Sequence, residues 1–76
     1  MFNIPIRIKQ TKLNEHLVST IVIEDRNGVV WFETMTFHDD GRQSNEVRSS
    51  EIEEALFHHN RQINRVIKNE VRWVSL

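Results

Sequence analysis

The chain has 76 residues, no cysteine and a formal net charge of −1. This length allows one domain, the missing cysteines exclude disulfides and thiolate metal sites, and the small net charge excludes a molecule-wide field that would draw the protein to nucleic acid or to a membrane. No uncharged apolar run approaches the roughly 20 residues that cross a bilayer, and the N-terminus has no signal-peptide pattern. We therefore expect a folded cytoplasmic domain over residues 1–76 without a membrane span.

The first predicted element is a strand over residues 4–9, where isoleucine occupies every second position. This alternation is typical of a strand with one buried and one solvated face. Pro5 cannot donate a ladder hydrogen bond, so the strand begins there or lies at a sheet edge. The mostly polar residues 11–14 that follow predict a turn.

A β-hairpin is predicted over residues 17–37. Two runs rich in β-branched residues, 17–24 and 29–37, flank a short polar segment that ends in Asn27-Gly28. Asn-Gly between two such runs is the strongest short-range hairpin signal, because both residues tolerate the positive φ of a tight turn.

The two faces of this hairpin both carry large apolar side chains, if its loop has two or four residues. The predicted sets are Ile21, Ile23, Val30 and Phe32 on one face, and Val18, Val22, Trp31, Met35 and Phe37 on the other. A single helix covers one face. The other face either packs on the N-terminal strand and the loops, or binds a partner. The second interpretation makes Trp31, Met35 and Phe37 candidate partner-binding residues. A three-residue bulged loop would redistribute these side chains.

The C-terminal half predicts a polar loop at residues 38–47 and a helix over residues 50–68. Ser50 and Glu53 have the spacing of a capping box, which places the helix start, and Asn69 is a suitable residue to end it. One helical stripe is largely apolar: it contains Ile52, Ala55, Leu56, His59, Ile63, Val66 and Ile67. Residues 71–75 could form a fourth strand, since Val and Trp suit sheets, or could continue the helix. The fold class is therefore α+β, an antiparallel sheet of about three strands with one long C-terminal amphipathic helix on one face.

The histidines offer little chemistry. His59 lies on the apolar stripe and is expected to be a buried histidine bonded to a backbone carbonyl. His38 and the two aspartates after it could join His16 or His58 around a metal ion, but turn formation is the simpler interpretation of Asp-Asp-Gly. No nucleophile elbow or glycine-rich loop is present. We expect no enzymatic activity, no metal and no cofactor.

A row of basic residues lies opposite the apolar stripe, at i, i+4, i+7 and i+11: Arg61, Arg65, Lys68 and Arg72. Cations near a helix C-terminus complement the helix macrodipole, and this alone can explain the pattern. The alternative is an anion-binding stripe that contacts a nucleic acid backbone. Phe57 points to the same side and could stack on an unpaired base.

The expected function is that of a small protein-interaction or regulatory module that acts by binding and self-associates as a homodimer. A domain of this size buries only about 60 % of its unfolded surface, so its interior is thin and a partner chain is a natural supplement. The candidate partner-binding residues are Trp31, Met35, Phe37 and Phe57. The alternative is a nucleic-acid-associated protein that uses the basic row.

Overall fold

Four antiparallel strands and one helix make up residues 6–74, the part of the chain that the computed structural model describes. The elements are β1 (Ile6–Leu13), β2 (His16–Glu24), β3 (Val30–His38), β4 (Val47–Ser49) and α1 (Ile52–Ile67). The strands follow the order β1-β2-β3-β4 in one sheet, and α1 packs on one side of it. The α+β class is confirmed, with four strands where about three were expected.

The first hairpin joins β1 to β2 through a two-residue loop. Leu13 pairs with His16, and Asn14 in the loop has a φ of 52°, a conformation that asparagine tolerates better than most residues. The predicted turn at residues 11–14 is therefore wrong for Thr11 to Leu13, which belong to the strand. Residues 4 and 5 of the predicted strand lie outside the described residues.

The second hairpin is confirmed to within one residue at each end. Glu24 pairs with Val30, which leaves a five-residue loop, 25–29. The Asp25 carboxylate accepts hydrogen bonds from the amides of Asn27, at 2.8 Å, and Val29, at 2.9 Å. Gly28 has a φ of 80°, in the left-handed region that glycine enters without a steric penalty.

The odd number of loop residues makes the predicted division of the hairpin faces wrong. Ile23 lies opposite Trp31, and Val22 lies opposite Phe32. A one-residue change in register moves every side chain of a strand to the other face. From β2 and β3, one face thus carries Leu17, Ser19, Ile21, Ile23, Trp31, Glu33, Met35 and Phe37.

The start of α1 also differs from the prediction. The N-cap is Glu51, with a φ of −125° and a ψ of 145°, and no side chain caps the helix. The capping box at Ser50 is wrong, because β4 continues to Ser49 and the N-cap position is taken by Glu51, whose backbone is extended. Glu53 and Glu54 in the first turn still complement the helix dipole. At the other end, Asn69 has the expected left-handed conformation, with a φ of 56°.

The fourth strand of the sheet precedes the helix. β4 pairs with residues 32–34 of β3, within and just after the segment predicted as a loop. The C-terminal segment makes an isolated bridge between Trp73 and Ser44, and the Val74 amide donates to the Gln43 carbonyl at 2.8 Å. A strand over residues 71–75 is therefore wrong for residues 71–74, and residue 75 lies outside the described part.

The interface between α1 and the sheet is rich in polar side chains. The sheet contributes Thr20, Thr34 and Thr36, which are at most 1 % exposed. Among the described residues, Val18 and Ala55 are the buried apolar ones. Ile52 and Ile67, which the predicted apolar stripe included, are 47 % and 69 % exposed.

Hydrogen bonds satisfy most of this polar interface, although Ser49 Oγ on β4 is buried without a hydrogen-bond partner among the described residues. His59 is fully buried on α1; its Nδ1 lies 2.7 Å from the Thr20 hydroxyl and its Nε2 lies 2.8 Å from the Thr11 hydroxyl. The predicted bond to a backbone carbonyl is wrong. One turn further along α1, the Thr36 hydroxyl donates to Gln62 Oε1 at 2.9 Å. The helix is therefore held to the sheet by directional bonds as well as by apolar contact.

Candidate functional site

The side of the sheet that faces away from α1, here called the open face, carries six large apolar side chains of β2 and β3. Alternation along each strand and the observed register define it. Its members are Arg7, Gln10, Lys12, Leu17, Ser19, Ile21, Ile23, Trp31, Glu33, Met35, Phe37 and Arg48.

No described helix or strand covers the open face. Every contact between elements joins neighbouring strands or joins α1 to the sheet, and α1 lies on the side of Thr20 and Thr36. The six large apolar side chains of the open face are only half-buried: Leu17, Ile21, Ile23, Trp31, Met35 and Phe37. The face thus combines six large apolar side chains with six polar or charged ones, and it lacks a second layer within the described part of the chain.

A buried carboxylate lies among these apolar residues. Glu33 is 8 % exposed and accepts a hydrogen bond of 2.7 Å from Trp31 Nε1. Arg48 Nε lies 3.4 Å from the same carboxylate oxygen, and the Arg48 guanidinium lies 5.2 Å from the centroid of the Trp31 ring. Glu33 and Arg48 therefore hold the indole of Trp31 in one orientation on the open face.

The structure brings together three of the four predicted partner-binding residues. Trp31, Met35 and Phe37 share the open face because they lie on one strand at even spacing. Phe57 is on α1, 62 % exposed, with its ring edge-on to His58. It belongs to the opposite side of the molecule. Sequence periodicity did not indicate Glu33 and Arg48, since their pairing depends on the short strand β4.

All four residues of the predicted basic row line one concave surface, here called the basic concavity. It has a volume of about 460 Å³ and is lined by Arg61, Asn64, Arg65, Lys68, Glu70 and Arg72. The first four belong to α1 and its C-cap. Arg72 reaches the same surface because the chain turns at Asn69, where the helix has ended.

The cations of the basic concavity make no ion pair with another described residue. The ion pairs among residues 6–74 involve other basic groups: Lys12, His38, Arg42 and Arg48. Glu70 is the one acidic residue in the lining. The concavity therefore presents a local excess of positive charge on a molecule whose net charge is −1.

A third cluster joins His16, His38 and Trp73. The two imidazoles meet edge to face at 4.7 Å, and the indole stacks on His16 at 5.8 Å. His38 Nδ1 already accepts a hydrogen bond from the Asp40 amide at 3.0 Å. Among the described residues, no group of three or more histidines and carboxylates is arranged to hold a metal ion. The cluster fixes the C-terminal segment against the sheet.

Among residues 6–74, no helix has the length and apolar character that crossing a bilayer requires. Comparisons with protein-family models, with curated proteins and with solved structures find no match.

Proposed function

We propose that this protein is a small interaction module that self-associates through its open face. It acts by binding, and the open face of one copy packs against that of a second copy. Trp31, Met35 and Phe37 form the contact, and Glu33 with Arg48 orients Trp31 within it.

The observation that supports this proposal is the distribution of polarity over the two faces of one sheet. The face under α1 buries three threonines almost completely, whereas the open face presents six large apolar side chains that no described element covers. The outer face of a monomeric antiparallel sheet is expected to be mainly polar and solvated. Contiguous apolar surface on a soluble domain marks an interaction site.

A second copy is the occupant that fits this surface. Four strands about 4.8 Å apart and up to nine residues long, at about 3.3 Å per residue, define a face of roughly 400–550 Å². Two such faces together bury roughly 800–1,100 Å², near the lower limit of specific interfaces. A second copy also brings an apolar sheet face of matching size, and packed sheets share a layer about 10 Å thick. A two-fold axis would satisfy both copies at once.

The test is the molar mass in solution, measured by sedimentation equilibrium over a series of concentrations. We expect a monomer–dimer equilibrium for the natural chain. Met35→Lys and Ile21→Lys place a charge on the open face and should each give a monomer with unchanged circular dichroism. Phe57→Lys introduces the same charge on the outer side of α1 and should leave the equilibrium unchanged.

Two results would contradict the proposal. One is a natural chain that stays monomeric at the highest concentration reached. The other is a dimer that Phe57→Lys disrupts and Met35→Lys does not.

A further inference from the structure

We propose that the basic concavity is a second binding site, independent of self-association, and that it takes the phosphate backbone of a single-stranded nucleic acid. The site lies on the outer side of α1, on the opposite side of the molecule from the open face. Its cations are Arg61, Arg65, Lys68 and Arg72, which line one surface of about 460 Å³.

Helix electrostatics alone does not account for these charges. The macrodipole acts within about the last turn of a helix, and Arg65 is the basic residue of that turn. Arg61 lies further from the helix end, and Arg72 follows the helix altogether. Arg61 and Arg72 therefore lie outside the reach of the helix dipole. None of the four cations has an ion pair with another described residue.

Unpaired cations that converge on one concavity repel one another, so they cost free energy unless an anion is bound between them. A phosphate group suits this arrangement, because a guanidinium donates two parallel hydrogen bonds to its oxygens. Three arginines and one lysine thus favour a ligand with several phosphates over one with a single carboxylate.

The position of Phe57 favours a single-stranded nucleic acid as the ligand that carries those phosphates. At about 100° per residue, Phe57 lies in angular line with Arg61, Asn64 and Lys68 on the outer side of α1, and it is 62 % exposed. An exposed aromatic ring beside a positively charged track can stack on an unpaired base, which a duplex does not offer. Glu53 and Glu54 at the helix start limit the track to the part of α1 that follows Phe57.

The test is fluorescence anisotropy with a labelled single-stranded oligonucleotide of about 12 nucleotides, at about 0.05 M and about 0.2 M salt. We expect binding at low salt that weakens steeply as salt rises. Arg61→Gln with Arg65→Gln should flatten the slope of log K against log salt by about 1.4, since each contact to a single strand contributes about 0.7. Lys9→Gln with Arg26→Gln removes the same charge from exposed positions outside both proposed surfaces and should leave the slope unchanged.

The Phe57→Ala variant distinguishes binding of a nucleic acid from binding of other polyanions. It should weaken oligonucleotide binding about 5- to 160-fold, at about 1–3 kcal/mol per stacked base, and leave binding of inorganic polyphosphate unchanged. The proposal is overturned by absence of binding at low salt, by equal effects of the two double variants, or by a Phe57→Ala variant that binds the oligonucleotide normally. The Met35→Lys variant should bind the oligonucleotide as the natural chain does, because this site is independent of self-association.

Discussion

Nδ1 of His59 on α1 lies 2.7 Å from the hydroxyl oxygen of Thr20 on β2. The same hydroxyl lies 2.8 Å from that of Thr34 on β3, so one histidine connects the helix to two neighbouring strands. Burial of such groups is favourable only while every bond is made, because an unsatisfied polar group in the interior carries its full desolvation penalty. The attachment of α1 is therefore sensitive to single substitutions beneath it.

Replacement of His59 by alanine should lower the free energy of unfolding by about 2–4 kcal/mol. The change leaves the hydroxyls of Thr11 and Thr20 without their ring partner and opens a cavity at a fully buried position. Urea unfolding followed by circular dichroism measures the loss. His58→Ala, one residue along and only half-buried, should change stability much less, and equal losses for both variants would contradict the role assigned to His59.

Stability should fall as the pH drops below about 6.5, the usual pKa of histidine. Burial of His59, and to a lesser extent the charge of Lys9, lowers the pKa of its imidazole in the folded protein. The unfolded chain therefore binds the proton first, so the stabilisation present above the unfolded pKa is lost as the pH falls through the folded pKa.

Unfolding midpoints measured at intervals from about pH 7.5 to about pH 5 test this dependence. His59→Gln should flatten the curve over that range. A His59→Gln variant with the full pH dependence would assign the effect to other groups.

Thr36 and Gln62 should behave as a coupled pair. Thr36→Val removes the donor to Gln62 Oε1 and should cost about 1–2 kcal/mol, because Gln62 is then left buried without that bond. Adding Gln62→Leu should recover most of the loss, since the pair is replaced by apolar groups of similar size. A double-mutant cycle by urea unfolding gives the coupling free energy, and strictly additive losses would show that the two side chains act independently.

Gly28→Ala should destabilise the protein by about 1–2 kcal/mol through backbone strain alone. A methyl group at this position meets no atom within 4 Å, but the residue has a φ of 80°, which L-amino acids other than glycine adopt only at a cost. Thermal unfolding detects the change. Asn27→Ala, at the neighbouring position without a positive φ, is the matched control and should cost less.

The elements of this fold could be predicted where the signal is local. Asn27-Gly28 identifies the second hairpin, and helical periodicity places α1 and three residues of the basic concavity. Period-two spacing on one strand is enough to group Trp31, Met35 and Phe37. These inferences need only neighbouring residues, whose geometry follows from the strand or the helix itself.

What could not be predicted depends on contacts between distant parts of the chain. The N-cap of α1 is Glu51 and not the predicted Ser50, because β4 pairs with β3. Arg72 was correctly grouped with the other three cations, but it reaches the basic concavity through the turn after α1 and not as part of the helix. The polar interface between α1 and the sheet could not be predicted from apolar periodicity, because hydrogen-bonded threonines such as Thr20 and Thr34 do not contribute to an apolar pattern.

The length of loop 25–29 has a consequence for how this protein can change over generations. Five residues separate Glu24 from Val30. A deletion of one of them that the strands accommodated by re-pairing, and not by a shorter loop, would shift the pairing by one position and turn β3 over. Valine, phenylalanine and threonine side chains would then exchange places with those of Trp31, Met35 and Phe37, although no residue of the strand had been substituted. The open face therefore depends on how β2 and β3 pair as well as on which side chains β3 carries.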